Sequence, residues 1–366
     1  MTPIFDPKTL RRELHGLAEL SMHEEKTSAY VMEKLRELGL EPHRVGETTG
    51  VVAEIKGAEP GPVLMLRADM DALPFKIDGK PCAIHACGHD AHTAMVLAAA
   101  SRLVGHVKRG TLKLLFQPGE ETGEGGPAMV AAGVIGDVDY AIGAHIRPAS
   151  DLPLGKICPA VNHAASAIDY VTIKGKSAHA SRPHLAVNAL DAASAVIQAV
   201  NAIWEDPRLN WSAKATQIWA DAGAPNTIPE LAKLTIDVRA ATNALMDDLQ
   251  AKIRRAVESC SQAIGAEGTM KVEGFSPAAL YDDDLKAEVA EAVVDLYGEE
   301  ALAPEALGGG EDFHWYKLHK PSIKAAYFGI GVGAEPGLHR ADMHFDESKL
   351  AMGVAVFERL ALRHLG

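Results

Sequence analysis

The densest group of reactive side chains in this sequence lies between Ile84 and His92. These nine residues include three histidines, one cysteine and one aspartate, and an alanine-rich stretch of helical spacing follows them. A single glycine separates Cys87 from His89, and a tight turn at that glycine allows a thiolate and an imidazole to bind the same metal ion. Asp90 can either bridge two metal ions or orient His89 through a hydrogen bond. The segment therefore predicts a metal site at the start of a helix.

Two pairs of acidic residues follow apolar runs that are typical of strands. Glu120 and Glu121 come after one run and a Pro-Gly turn, and Asp69 and Asp71 come after another. Ligands of α/β proteins gather at the carboxyl ends of parallel strands. The adjacent glutamates point in different directions, so one carboxylate can bind metal while the other moves protons. The two aspartates point to one side of an extended chain, where one can hydrogen-bond a ligating imidazole or contact the metal.

The elements that position these residues alternate between strands and helices. Two helices are predicted between Pro7 and Gly39. The next predicted elements are strands at Val51–Ile55 and Val63–Leu66, a helix at His92–Val104, a strand at Thr111–Phe116, a helix at Pro127–Ala132 and a strand at Tyr140–Ala144. This alternation indicates an α/β fold with a mostly parallel sheet flanked by helices.

The pattern changes in the middle of the chain. The order becomes strand, helix, strand, strand, helix, strand, which is typical of the split βαβ, ferredoxin-like unit. The segments are Ala167–Ile173, Val187–Trp204, Ala215–Ala220, Leu231–Val238, Ala251–Ile264 and Met270–Glu273. After Phe275 the first pattern returns, with a helix at Leu285–Leu296, a strand at Ala325–Ile330 and a helix at Glu347–Leu365. We expect a discontinuous catalytic domain, residues 1–165 and 276–366, and a smaller inserted α+β domain, residues 166–275.

Composition excludes several classes of partner. With 366 residues the chain exceeds the usual size of a single hydrophobic core, so two domains are expected. The formal net charge of −13 opposes binding to nucleic acid or to anionic membranes. No apolar stretch has the length of a membrane span, and Met1 to Leu10 lacks the apolar core of a signal peptide. Because the four cysteines are scattered, we expect reduced thiols and a cytoplasmic protein.

Ordered motifs along nearly the whole chain resemble the M20 peptidase family. The resemblance is to its amidohydrolase branch, which includes hippurate hydrolases, N-acyl-amino-acid amidohydrolases and auxin-conjugate hydrolases. The matching pieces are Leu14–His15, Glu19–Ser21, Arg67–Pro74, His85–His92, Phe116–Glu121, His145, Gly175–Ala180, Asn226–Pro229, Asp237–Arg239, Gly310–Phe313 and Leu338–His339.

The resemblance implies a site for two divalent metal ions per subunit, Mn²⁺ or Zn²⁺. The five ligands it implies are Cys87, His89, Glu121, His145 and His339. It implies further that Glu120 is the general base and acid, and that Asp71 orients a ligand. Asp69 falls where other M20 branches have a metal-binding histidine.

The resemblance also assigns roles in the inserted domain, which would serve as a lid and a dimerisation domain. His179 matches a histidine that reaches the active site of the neighbouring subunit, so a homodimer or higher homo-oligomer is expected. Asn226 and Arg239 match groups that hold the carboxylate of the substrate, and the guanidinium fork suits a carboxylate.

The expected reaction is hydrolysis of the amide bond of an N-acyl or N-aroyl amino acid, or of a dipeptide, by metal-activated water. A first alternative is an aminohydrolase that releases ammonia from a small aromatic amine, which would not need Arg239. A second alternative is a metal-binding protein without catalysis, which would be expected to lose Glu120 first, yet Glu120 is present. Ala18, Gly119, His314 and a shortened 75–84 segment depart from the family pattern, and none of them removes a ligand.

Overall fold

The computed structural model describes residues 3–366, and the chain divides into two compact units. The first unit comprises Met1–Asn162 and Leu280–Gly366, and the second comprises His163–Ala279.

The strands and helices are numbered along the chain. The strands are β1 (His43–Arg44), β2 (Val51–Lys56), β3 (Glu59–Asp69), β4 (Leu73–Ile77), β5 (Lys80–Ile84), β6 (Arg109–Gln117), β7 (Tyr140–Pro148), β8 (Ile157–Cys158), β9 (Val161–His163), β10 (Ala165–Lys174), β11 (Ala178–His179), β12 (Trp211–Trp219), β13 (Thr227–Ile228), β14 (Leu231–Ala240), β15 (Glu267–Ser276), β16 (Ala306–Gly308) and β17 (Lys324–Ala334). The α-helices are α1 (Pro7–His15), α2 (Glu25–Glu37), α3 (His89–Leu103), α4 (Gly125–Ala131), α5 (Ala189–Asn201), α6 (Asn243–Ala263), α7 (Asp283–Tyr297), α8 (Trp315–His319) and α9 (Leu350–Leu365).

A seven-stranded sheet in the order β1-β2-β6-β3-β7-β17-β8 forms the centre of the first unit. The four middle strands, β6, β3, β7 and β17, are parallel, whereas β1, β2 and β8 pair antiparallel at the two edges. Alternate residues of β3 enter two different apolar cores: Leu64 and Leu66 pack with α1, α3, α7 and α9, while Met65 packs with residues of α4 and α8. The predicted α/β fold with helices on both faces is therefore confirmed.

Helix α3 passes through the core of the first unit. All its residues except Arg102 are buried, and most of the central ones are alanine or another small residue, which lets α1, α9 and the sheet approach closely. The helix begins at His89, three residues earlier than predicted, directly after Gly88, whose φ is 90°. The first turn of a rigid, buried helix thus carries the reactive side chains.

The second unit has the predicted split βαβ order. Its sheet, β12-β14-β10-β15, is antiparallel throughout, and α5 and α6 pack against it around Val171, Ile173, Leu234 and Ile236. Helix α6 begins eight residues before the predicted start, since the Thr242 side chain accepts a hydrogen bond from the Leu245 amide and caps it.

A hairpin of β4 and β5 was not predicted. Asp78 and Gly79 at its turn both have positive φ, 49° and 79°, which suits the twist of a two-residue hairpin. The hairpin occupies the shortened segment and leads directly from the Asp71 region to Cys87. Within residues 3–366, no helix is long and apolar enough to cross a membrane.

One buried carboxylate in the second unit is incompletely paired. Asp169 on β10 is 0% exposed, and its Oδ1 accepts a hydrogen bond of 2.9 Å from Gln250 Nε2 on α6. Its Oδ2 and the facing Gln250 Oε1 have no partner among the described residues. Burial raises the pKa of Asp169 to about 6, because an ionised carboxylate is poorly solvated there.

We expect Asp169→Asn to stabilise the protein near pH 8 by roughly 1–2 kcal/mol, because an amide pair satisfies both unpaired atoms. The folded pKa of Asp169, about 6, exceeds that of an unfolded aspartate, so the free energy of unfolding of the wild type should rise as the pH falls from above 6 towards 4. The variant has no carboxyl group at this position and should not show this increase. Urea unfolding followed by tryptophan fluorescence measures this, with the exposed Asp247→Asn as control. Equal pH profiles for wild type and Asp169→Asn would contradict the assignment.

Candidate metal centre

The five ligands implied by the sequence lie together in the first unit. They form two trios, Cys87 with His89 and His145, and Cys87 with Glu121 and His339. Within each trio the candidate ligand atoms lie within 4.8 Å of one another. Because Cys87 belongs to both trios, the arrangement suits two metal ions that share one thiolate.

Hydrogen bonds orient the two buried histidines of the first trio. His89 Nδ1 donates to Asp71 Oδ1 at 3.0 Å, and His145 Nδ1 donates to the Ile146 carbonyl at 2.5 Å. Both rings therefore present Nε2 as the free lone pair, and His145 Nε2 lies 3.4 Å from Cys87 Sγ. Of the two aspartates, Asp71 is the one that hydrogen-bonds Nδ1 of His89.

His339 reaches the second trio from a loop after β17. Its φ of 62° is left-handed, a conformation that costs energy for a residue other than glycine. Its amide donates to the Ala86 carbonyl at 2.7 Å, next to Cys87, and its Nε2 lies 3.7 Å from Glu121 Oε2. The strained backbone is thus held where the imidazole faces the other ligands.

The unpaired atoms of the cluster fit divalent metal ions. His89 Nε2 and Glu121 Oε1 are buried, and neither has a hydrogen-bond partner within the part of the chain that the structure describes. Burial raises the pKa of the Cys87 thiol and lowers that of His145, so a cation is needed to hold a thiolate there, while the imidazole is neutral and ready to bind one. Sulfur, nitrogen and carboxylate oxygen together suit Zn²⁺ or a similar transition metal.

Other acidic and imidazole groups near the cluster are already engaged. Asp69 accepts from His92 Nδ1 at 2.7 Å and from Arg67 at 2.7 Å, and His92 Nε2 accepts from the Ile146 amide at 3.0 Å. Both carboxylate oxygens of Asp69 and both ring nitrogens of His92 are therefore hydrogen-bonded within the protein, beside His89.

The two roles considered for Asp90 are wrong. Its carboxylate accepts from His15 Nδ1 at 2.7 Å and lies 3.0 Å from Arg11 Nε, both on α1. Successive residues of a helix point about 100° apart, so Asp90 faces α1 when His89 faces the metal-binding cluster. Asp90 neither bridges metal ions nor orients His89.

Glu120 lies beside the cluster without belonging to either trio. Its Oε2 is 3.7 Å from His89 Nε2, and its carboxylate lies close to those of Glu311 and Asp312. Burial, followed by repulsion from these two carboxylates, raises the pKa of Glu120 well above its usual value. A carboxyl group of raised pKa next to a metal site can accept and return a proton near neutral pH.

Comparison with known proteins decides the family. Residues 65–363 match the model of peptidase family M20/M25/M40. The chain belongs to this family.

Individual relatives agree with that assignment. N-acetylcysteine deacetylase of Bacillus subtilis is 31% identical over 96% of this chain and 95% of its own length. Hippurate hydrolase of Campylobacter jejuni is 30% identical over 97% of this chain and 96% of its own length. The structure also resembles the crystal structure of the Bacillus subtilis YXEP protein, which is described as a dinuclear metal-binding peptidase of the M20 family. The two superpose with a TM-score of 0.81 at 29% sequence identity, over 98% of this chain and 97% of the other. One further curated relative, 32% identical, is longer, and this chain spans 45% of it. Membership makes the chain a hydrolytic enzyme that acts on amide bonds and confirms the resemblance seen in the sequence.

A buried arginine beside this M20 site was not assigned a role from the sequence. Arg67, at the end of β3, is 1% exposed and donates to Asp69 at 2.7 Å and to Gln117 at 2.9 Å. It also pairs with Asp312 at 2.7 Å and with Glu311 at 3.1 Å. The acidic 308–313 segment thus brings two buried carboxylates to the guanidinium. In the sequence, the feature that indicates such a role is an arginine near the end of an apolar strand.

The residues assigned to substrate binding lie in the second unit. His179 Nδ1 accepts from the Ser181 amide at 3.1 Å, and His179 Nε2 lies 3.3 Å from Asn226 Nδ2. Arg239 is separate from this pair and binds Asp237, with its NH2 group 2.8 Å from Oδ2. The structure therefore brings His179 and Asn226 together and gives Arg239 an internal carboxylate partner.

We expect Gly88→Ala to abolish binding of both metal ions, because a Cβ at φ 90° would lie 2.3 Å from Ile146 Cδ1 in the core and would displace Cys87 and His89. Gly105→Ala is the matched control: its φ is 81°, and nothing lies within 4 Å of the added Cβ. It should cost about 1–2 kcal/mol of stability and leave the metal content unchanged. Atomic spectroscopy and thermal unfolding measure both effects. Full metal content in Gly88→Ala would show that the turn does not set the ligands.

Proposed function

We propose that the protein hydrolyses the amide bond of N-acyl or N-aroyl amino acids. The observation that carries this proposal is the pair of ligand trios sharing Cys87, with Glu120 of raised pKa beside them. The names of the relatives, a deacetylase of N-acetylcysteine and a hydrolase of hippurate, support small substrates that combine an amide with a carboxylate.

The trios would hold two divalent metal ions, which supply Lewis acidity and lower the pKa of a bound water. Glu120 takes the proton of the attacking water on its carboxylate and returns it to the leaving nitrogen. Asp71 and the Ile146 carbonyl keep the Nδ1 protons of His89 and His145 in place, so that both Nε2 atoms stay available. General acid–base transfer of this kind contributes roughly 10²–10⁴-fold to the rate.

Several finer assignments belong to this proposal. The metals are Mn²⁺ or Zn²⁺. The first unit is the catalytic domain and the second is a lid and dimerisation domain of a homodimer. His179 stabilises the developing oxyanion in the partner's site, and Asn226 and Arg239 bind the substrate carboxylate. Reduced thiols at all four cysteines fit a cytoplasmic location.

A substrate panel tests the reaction. Metal-depleted protein reloaded with Mn²⁺ or Zn²⁺ is incubated with hippurate, N-acetyl amino acids, dipeptides and aromatic amines. Free amino acid from the first two classes is expected. Release of ammonia would favour an aminohydrolase, cleavage of dipeptides alone would favour a dipeptidase, and no product from any class with either metal would contradict the proposal.

We expect Glu120→Gln to retain both metal ions and to lower kcat by roughly 10²–10⁴-fold, since glutamine keeps the shape but cannot carry the proton. Glu124→Gln, an exposed change four residues away, is the control and should behave like wild type. Metal content and kcat are measured on the same samples. A Glu120→Gln enzyme with near wild-type kcat would refute the role of Glu120.

We expect His179 to act in trans, which complementation measures directly. Glu120→Gln and His179→Ala are each expected to lose most of the activity, and after subunit exchange a mixed dimer has one site with both changes and one with neither. Activity should therefore return to a fraction of the wild-type value. The exposed His184→Ala, mixed in place of His179→Ala, controls for general effects of the second unit. If heterodimers form and stay inactive, His179 works within its own chain.

A further inference from the structure

Both backbone amides that flank Glu120 are bound by buried carboxylates. The Gly119 amide donates to Glu24 Oε1 at 2.9 Å, and the Glu121 amide donates to Asp71 Oδ2 at 3.0 Å. The loop that carries Glu120 is therefore held on each side of the residue. Asp71 already belongs to the site through His89, whereas no role has been given to Glu24.

Glu24 comes from the segment between α1 and α2, far in sequence from the loop it binds. Its side chain is 0% exposed. The same Oε1 accepts from the Met22 amide at 2.8 Å, and Oε2 accepts from the Thr49 hydroxyl. One carboxylate thus joins three segments of chain, and its two oxygens are fully used inside the protein.

The segment from Ser21 to Glu24 reaches both supports of the loop. Ser21 Oγ donates to Asp71 Oδ2 at 2.6 Å, next to the amide of Glu121 on the same oxygen. Met22 and Gly119 both have φ of 63°, and a Cβ on Gly119 would lie 2.6 Å from Met22 Sδ. The two segments approach so closely because position 119 is glycine.

We propose that Glu24 is a positioning residue for the hydrolysis, acting by holding the 118–122 loop so that Glu120 faces the metal-binding cluster. This rests on the proposed function, in which Glu120 moves the proton. The glutamate contributes hydrogen-bond acceptors of the right length to the amides of Met22 and Gly119. A catalytic group that is released by about 1 Å loses on the order of 10²-fold in rate, although substrate and metal still bind.

The test compares three substitutions in the metal-loaded enzyme. Glu24→Ala removes the acceptors, Glu24→Asp is too short to reach both amides, and Glu24→Gln keeps a carbonyl oxygen for them. Glu19→Ala is the matched control, because this carboxylate in the same region accepts from the Lys26 and Thr27 amides, at 2.8 and 3.0 Å, at the start of α2 and does not touch the loop. Hydrogen exchange of peptides covering residues 116–122, kcat, KM, metal content and thermal unfolding are measured for each.

Glu24→Ala and Glu24→Asp should raise exchange in the loop by about tenfold or more and lower kcat by roughly 10–100-fold, with KM and metal content within about twofold. Glu24→Gln should stay near wild type in exchange and kcat. Glu19→Ala should lower the unfolding temperature alone.

Wild-type exchange and kcat in the aspartate variant would overturn the proposal, and so would a glutamine variant as impaired as the aspartate one. If the alanine variant does not fold, the aspartate and glutamine variants still decide. If the wild-type enzyme cleaves no substrate of the panel, the proposed function fails, whereas the exchange measurements still report whether Glu24 holds the loop.

Discussion

The metal centre depends on one buried guanidinium. Arg67 is surrounded by the carboxylates of Asp69, Glu311 and Asp312, all of them at most 2% exposed. Removing one partner from such a buried set costs about 3–5 kcal/mol, since the charges left behind have no water to solvate them. Asp69 lies at the end of β3, and Asp312 lies 245 residues after Arg67. The ion pairs therefore join the two chain segments that make up the first unit, close to the metal ligands.

The single positive charge of Arg67 faces three carboxylates, so the local charge is negative and the pKa values of Asp312 and Glu120 rise. Burial raises the pKa of Asp312 to about 7, with repulsion from Glu311 opposing the attraction of Arg67. The same two carboxylates raise the pKa of Glu120. Ligand carboxylates and a thiolate at this place are costly without cations, so metal binding is coupled to proton release. The carboxylates that form the structural ion pairs with Arg67 thereby also raise the pKa of Glu120.

The short motifs of the sequence predict a metal site, the resemblance adds the distant His145 and His339, and the supporting groups from other segments are missed. Cys87 and His89 share a short motif, and the Glu120–Glu121 and Asp69–Asp71 pairs follow strands whose parallel ends meet, so physical rules bring these residues together. The family resemblance implies which member of each pair has which role. Glu24 looks like any surface glutamate in the sequence, because its partners at residues 49 and 119 are brought to it only by the fold. Asp90 was misread since its direction depends on where α3 begins, and a boundary is the least certain feature of a predicted helix.

These errors arise because the polar groups that bind metal differ from the polar groups that hold the ligands in position. The ligands use their free atoms for metal, so they cannot also fix their own positions, and His89 Nε2 and Glu121 Oε1 remain unpaired within the described residues. Position must come from groups that use every atom inside the protein, as Asp69, Asp71 and Glu24 do through amides, imidazoles and hydroxyls. Such groups are buried and use their polar atoms inside the protein, which leaves specificity to side chains outside this set. The buried carboxylates around the centre therefore hold the ligands in position. The residues that select the acyl group of the substrate must be others, with side chains that are exposed.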